Sequence, residues 1–261
     1  MDKRTGIDAS GYIRTVGHVP LQAAFLAVVE DLHSMLLRSV LPQVESAYLY
    51  GSIARGDAVP GRSDLDVVLV LADKPALQDN LEIESARRAL ECRHPEVSKV
   101  DFDVGFLEEV QAPENLHRWG FWLRHHCRCI YGYDLSRDFE PFRPSRTIAR
   151  AVNGDFSSVL ERYAQRIETE ADGATLARFR REASRKLIRA TNVLRPVTSN
   201  HWPESLEDHM ALFSDSYPDM AQQIEFFHMF AAPPGNEPPH IVATDFSDRL
   251  RAFSLWMQQA L

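Results

Sequence analysis

One segment, residues 50–70 with the sequence YGSIARGDAVPGRSDLDVVLV, constrains the fold of this chain more than any other. Residues 46–50 and 65–71 read as strands rich in aromatic and β-branched residues, and glycine and proline turn signals separate them. Alternation along the second strand places the carboxylates of Asp64 and Asp66 on one face. The segment therefore predicts a strand, a loop and a strand that presents two carboxylates side by side.

Two adjacent carboxylates repel each other unless a cation lies between them. Hard divalent ions such as Mg²⁺ accept carboxylates together with phosphate oxygens, so Asp64 and Asp66 are candidate ligands for a metal–triphosphate complex. Gly51 allows the backbone to approach a phosphate closely, and Ser52 adds a backbone N–H and a hydroxyl as donors. The guanidinium of Arg55 can reach the same oxygens.

A third carboxylate is expected from the strand SKVDFDVGFL, which offers Asp101 and Asp103 on one face. Either residue could join the metal ligands or act as the base toward an acceptor hydroxyl. The chemistry that this arrangement predicts is transfer at the α-phosphate of a nucleoside triphosphate. Two Mg²⁺ ions are expected, one activating the hydroxyl and one stabilising the departing pyrophosphate.

The rest of the first half follows an α/β pattern, with the apolar spacing of helices alternating with short strands. A connector at residues 140–145 carries two prolines, and the predicted domain boundary falls near residue 144. The further helices predicted for this half cover residues 20–38, 78–92 and 113–126, and its further strands cover residues 97–107 and 129–131.

After the connector, the pattern predicts helices only, in a domain spanning residues 145–261. Residues 231–239 carry four prolines and are predicted to form an extended loop. The helices are predicted at residues 146–168, 174–194, 205–213, 219–230 and 245–260.

Four arginines recur at helical spacing in the second of these helices: Arg178, Arg181, Arg185 and Arg189. Such a stripe is ordinarily a solvated face opposite an apolar one. It is also a positive field suited to a triphosphate or an RNA backbone. Both interpretations stay open at this point.

The motif resembles the signature of the DNA polymerase β-like nucleotidyltransferase superfamily. Gly51-Ser52, eleven further residues and then Asp64-Leu65-Asp66 reproduce its Gly-Ser, spacer and Asp-apolar-Asp order. Chain length and an all-helical second half look most like the aminoglycoside nucleotidyltransferases, especially the streptomycin and spectinomycin adenylyltransferases. The resemblance implies a mixed-sheet N-terminal domain, residues 1–144, that binds Mg-ATP, and a helical-bundle domain that closes over it while AMP passes to a drug hydroxyl.

The resemblance also assigns roles to individual positions. It places the third carboxylate on Asp101 rather than Asp103, where those adenylyltransferases carry a catalytic glutamate, so the identity of the base stays open. Ser184-Arg185 matches a Ser-Arg pair whose arginine contacts the nucleotide, which adds Arg185 to the nucleotide-binding residues. The expected metal ligands and catalytic residues are Asp64, Asp66 and Asp101.

Charge and composition bound the partners. A net charge of −8 argues against a large non-specific nucleic-acid surface and favours a small cationic acceptor. The N-terminus lacks the apolar core of a signal peptide, no apolar stretch is long enough to span a bilayer, and three cysteines are an odd number, so a cytoplasmic protein without a membrane partner is expected. The expected donor is an NTP, in the first place ATP.

Other functions compete with this interpretation. A nucleotidyltransferase of toxin or defence type would modify a protein or a tRNA end instead of a small molecule, and the arginine stripe favours a nucleic acid. A protein of another class would bind the nucleotide as a sensor without catalysis. Ser52, Asp64 and Asp66 argue against the sensor, because an idle site has no need for adjacent unbalanced carboxylates.

Overall fold

A computed structural model describes residues 6–17, 19–38, 41, 43–231 and 242–261. Within them the chain forms two compact units. The first, here called the α/β unit, is Arg14–Phe142; the second, the helical unit, combines the described residues of Met1–Ile13 with those of Arg143–Leu261. The assignment of domains to residues 1–144 and 145–261 stays a prediction. The loop predicted at residues 231–239 lies, apart from Ala231, outside the described residues.

The α/β unit is built on a four-stranded sheet of β1 (Val44–Tyr50), β2 (Leu65–Leu71), β3 (Val100–Phe106) and β4 (Arg128–Gly132). The order of the strands in the sheet is β3-β2-β1-β4. β1 pairs antiparallel with both β2 and β4, and β2 pairs parallel with β3, so the sheet is mixed. All side chains of β2 from Val67 onward are buried, as expected of a central strand with an unbroken apolar run.

Alternating side chains of the central strands enter two separate cores. Leu49, Val67 and Leu69 point into a core that they share with the helices Leu26–Leu37 and Leu77–Arg93. Tyr48 and Val68 point into the other, which also holds Trp119 and Leu123. Both faces of the sheet are therefore covered, which fixes the register of its strands.

The helices of the α/β unit connect these strands. A 3₁₀ turn at Ala23–Phe25 precedes the first, and a 3₁₀ turn at Pro113–Asn115 followed by a π turn at Leu116–Gly120 leads into the fifth. Most agree with the predicted helices, but a short helix lies where an open loop is predicted after Tyr50. The helices are α1 (Leu26–Leu37), α2 (Gly51–Arg55), α3 (Leu77–Arg93), α4 (Leu107–Gln111) and α5 (Phe121–His126).

The helical unit packs around a core rich in phenylalanine. The single helix predicted at residues 146–168 is in fact two: α6 (Arg146–Asn153) ends at the C-cap Gly154, and α7 (Phe156–Thr169) follows the N-cap Asp155. The 3₁₀ turn Thr191–Leu194 follows α8 (Gly173–Ala190), and the 3₁₀ turn Pro218–Met220 precedes α10 (Ala221–Ala231). The helices are α6 (Arg146–Asn153), α7 (Phe156–Thr169), α8 (Gly173–Ala190), α9 (Leu206–Ser216), α10 (Ala221–Ala231) and α11 (Ala243–Gln259).

The fold class predicted from the sequence is confirmed: an α/β part with a mixed sheet precedes a largely helical part. Among the described residues, no helix combines the length and the apolar composition that crossing a membrane requires.

Candidate active site

The two neighbouring parallel strands β2 and β3 bring the predicted carboxylates together. Asp64 immediately precedes β2, and Asp66 lies directly opposite Asp101 in the parallel register. Leu65, between the two aspartates, is completely buried, while both aspartates keep some exposure. The alternation predicted from the sequence is thus present, and it turns the carboxylates away from the core.

Asp64, Asp66 and Asp101 form a compact carboxylate trio. One oxygen from each lies within 4.8 Å of the others, and among the described residues this is the one group of three or more acidic, histidine or cysteine side chains with such a geometry. All three donors are hard carboxylate oxygens, the ligands that Mg²⁺ prefers over nitrogen and sulfur donors. The residues present therefore fit the expected metal.

The trio carries more negative charge than its surroundings balance. Burial, and after it the three neighbouring carboxylates, raise the pKa of Asp66 to about 7, and only Lys99 opposes them among the leading causes. Lys99 donates from Nζ to Asp101 Oδ2 at 2.6 Å. The hydroxyl of Ser98 donates to Asp64 Oδ1 at 2.5 Å. A cation bound between the carboxylates would relieve the repulsion that these two donors leave.

Gly51 is the residue that lets the chain turn beside Asp66. Its φ is +70°, in the left-handed region, and a Cβ built on it would lie 2.0 Å from Asp66 Oδ2. Any side chain at this position would displace the carboxylate or the turn. The glycine of the motif is therefore required by its backbone conformation and by the space that Asp66 occupies.

The short helix α2 carries the other two predicted nucleotide-binding residues of this segment, Ser52 and Arg55. Ile53 and Ala54 are buried and anchor it to the unit, while Ser52 is half-buried in its first turn. Arg55 is 52% exposed and donates from Nε to Asp57 at 3.2 Å. Contacts of Ser52 and Arg55 with a nucleotide stay predictions.

Asp103, the alternative third carboxylate, has a different environment. It is exposed on β3, and the hydroxyl of Tyr50 donates to its Oδ2 at 2.6 Å. Burial, and then the charge of Asp103, raise the pKa of that phenol. The structure therefore groups Asp101, and not Asp103, with the two aspartates of the motif.

Arg185 belongs to the helical unit. It is exposed on α8, whereas the preceding Ser184 is completely buried with its hydroxyl unpaired. Of the predicted stripe, Arg178 and Arg189 are exposed like Arg185, and the opposite side of α8 is buried, as the pattern predicts. A role for Arg185 in nucleotide binding stays a prediction.

Lys99 and Ser98 contact the trio but are not among the site residues predicted from the sequence. Lys99 lies two residues before Asp101, so the same alternation that pairs aspartates on one face of β3 could have indicated it. Ser98 gives no comparable signal, because its contact with Asp64 depends on the approach of the segments that precede β2 and β3.

Comparison with known proteins finds one matching domain family and a solved structure with a similar fold. Residues 33–119 match the model of the nucleotidyltransferase domain family, and this range contains the whole trio. A similar solved structure is spectinomycin adenyltransferase AAD(9) from Enterococcus faecialis, determined with ATP and spectinomycin. The likeness has a TM-score of 0.55 at 12% identity and covers 90% of this chain and 98% of that one. No curated protein sequence gives a significant match.

These comparisons confirm the family resemblance. Residues 33–119 match the nucleotidyltransferase domain family, and the fold of the chain is similar to that of AAD(9) over most of its length.

Replacing Gly51 with alanine tests how tightly Asp66 constrains the turn. Gly61 is a matched control, because its φ is +71° but nothing lies within 4 Å of an added Cβ. We expect Gly61→Ala to lose only the conformational term, about 1 kcal/mol, and Gly51→Ala to lose at least about 1 kcal/mol more. Urea unfolding measures both free energies, and equal losses would contradict the crowding at Asp66.

Proposed function

From the nucleotidyltransferase domain of residues 33–119, we infer that the chain transfers a nucleotidyl group, in the first place AMP, from a Mg²⁺-bound NTP to a hydroxyl of a small molecule. The observation that carries this proposal is the carboxylate trio, whose oxygens lie within 4.8 Å of one another. Clustered carboxylates supply the hard oxygen ligands by which Mg²⁺ ions hold the phosphates of a nucleotide.

Each residue of the site has a proposed task. Asp64 and Asp66 hold the nucleotide through its metal ions, and Asp101 completes the ligands or accepts the proton of the acceptor hydroxyl. Bound Mg²⁺ would supply Lewis acidity and neutralise charge on the phosphates. Gly51 lets the backbone of α2 approach the triphosphate, and Ser52 donates to its oxygens.

The proposed acceptor is a small hydroxyl-bearing molecule of the aminoglycoside type. Support comes from AAD(9), which was determined with spectinomycin and whose fold matches over nearly its whole length. The net charge of −8 favours a cationic acceptor over a nucleic acid. Transfer to a tRNA or a protein is the alternative that the experiment below distinguishes.

Pyrophosphate release, measured with each NTP and Mg²⁺ across aminoglycosides, lincosamides, tRNA and candidate proteins, tests the proposal. We expect release with ATP that depends on a small hydroxyl-bearing acceptor and stops when EDTA removes the metal. Release only with tRNA or a protein would refute the proposed acceptor class. Nucleotide binding without release in any combination would refute the transfer itself.

Variants of the acidic residues belong in the same assay. Asp66→Asn and Asp101→Asn should reduce release to background, because each removes one charge from the trio. Asp103→Asn is the matched control on the same face of β3 and should stay within a few-fold of the wild type. Normal release by Asp101→Asn together with loss in Asp103→Asn would exchange their roles.

Lys99 has a task in this reaction that follows from its contact with Asp101. At 2.6 Å it neutralises a carboxylate that the metal complex would engage, and its side chain is 43% exposed. A cation bound to Asp101 would repel the Lys99 ammonium. The oxygens of the incoming triphosphate are anionic and could accept its hydrogen bond instead. We therefore propose that Lys99 exchanges Asp101 for a phosphate when the nucleotide binds.

Lys99→Met tests this exchange. Loss of a charge-assisted contact worth about 1.5–3 kcal/mol should raise the KM for ATP about tenfold or more, while kcat changes less. Mn²⁺ affinity without nucleotide, followed by electron paramagnetic resonance, should stay equal or increase because a competitor for Asp101 is gone. Lys74→Met, at an exposed lysine after β2, is the control. An unchanged KM together with weaker Mn²⁺ binding would contradict the exchange.

A further inference from the structure

A cavity of about 100 Å³ lies within the helical unit. Its walls come from the 3₁₀ turn Thr191–Leu194, the segment that follows it and α9. Phe213 and Tyr217, whose rings stack with centroids 5.3 Å apart, supply part of an apolar wall. A mostly apolar cavity with a few polar groups is the usual form of a small-molecule site.

Arg195 lines this cavity and is an unusual residue to find there. It is only 7% exposed, and no acidic side chain among the described residues forms an ion pair with it. One terminal nitrogen donates to the carbonyls of Ser199 and His201 at 2.6 and 2.8 Å, while the other has no hydrogen-bond partner. The ring of Trp202, with its centroid 5.2 Å from the guanidinium carbon, and the two carbonyls are partners without a negative charge. A buried charge without a counter-charge is costly, so an anion is the partner that would balance it.

Two histidines on the cavity wall also keep unsatisfied nitrogens. Nδ1 of His201 and Nδ1 of His209 are both buried without a hydrogen-bond partner in the described chain. Burial, and then the charge of Arg189, lower the pKa of His209 to about 3, so its imidazole is neutral at neutral pH. A neutral imidazole can present an N–H to an oxygen without requiring a proton from solution.

The charges around the cavity favour a negative ligand. Burial and then the charge of Arg146, which itself donates to the Arg195 carbonyl, lower the pKa of Arg195 to about 10. Among the described residues that line the cavity, Asp215 is the one acidic residue, and it is exposed. Water could satisfy the unpaired nitrogens, but it could not neutralise the guanidinium.

We propose that this cavity binds a small oxyanion, a carboxylate or a phosphate group, through Arg195, His201 and His209. The guanidinium supplies the charge and a forked donor, and the imidazoles supply further N–H groups. The residues of the site all belong to the helical unit, so the proposal stands independently of the carboxylate trio and of the transfer reaction.

Histidine resonances of the full chain, labelled with ¹⁵N-histidine, test the proposal in Mg²⁺-free buffer. Sodium phosphate and sodium acetate are titrated separately at constant ionic strength against sodium chloride, which distinguishes the two sources of the oxyanion. We expect saturable shifts of His201 and His209 with at least one of them. Histidines away from the cavity, such as His228 on α10, should not follow the same curve.

Two variants make the test specific. His209→Leu keeps most of the side-chain volume and should weaken binding about tenfold, which corresponds to about 1.4 kcal/mol. Arg195→Met should abolish binding, and circular dichroism verifies that each variant is folded. His228→Leu is the matched control. The proposal is overturned if neither anion gives a saturable shift in the wild type, or if His209→Leu binds as tightly as the wild type.

Discussion

Asp64, Asp66 and Asp101 lie together at the neighbouring ends of β2 and β3, and their carboxylates repel one another. Asp66 lies opposite Asp101 across the parallel pair, and Asp64 lies close enough to both that the three carboxylates could bind one metal ion. Separating them would remove the repulsion, but the strands that carry them are held by cores on both sides of the sheet. Packing thus maintains an arrangement that electrostatics opposes, and such stored repulsion is characteristic of functional sites.

The surroundings of the trio balance only part of its negative charge. Gly51 turns the chain in a left-handed conformation beside Asp66 and leaves room for its carboxylate. Ser98 donates a hydrogen bond to Asp64, and the Lys99 ammonium donates to Asp101 and balances part of the negative charge. In this account, the buried sheet supplies rigidity, and the short exposed contacts supply groups that can exchange partners when a nucleotide binds.

The sequence predicted what depends on local pattern. Burial of Leu65 between two partly exposed aspartates follows from alternation alone, and the strands and most helices follow from apolar spacing. It did not reveal what depends on long-range register or on single residues. The Tyr50 contact with Asp103 joins residues 53 positions apart, Gly154 divides one predicted helix, and the buried Arg195 has no signature that distinguishes it from surface arginines.

We propose that Asp64, Asp66 and Asp101 together hold the metal of a bound nucleotide. Anomalous diffraction from crystals grown with Mn²⁺ and a non-hydrolysable ATP analogue tests it most directly. We expect anomalous density for Mn²⁺ coordinated by all three carboxylates and by phosphate oxygens, with the Lys99 ammonium moved from Asp101 toward the triphosphate. Density bound elsewhere, or nucleotide bound while Lys99 still pairs with Asp101, would contradict it.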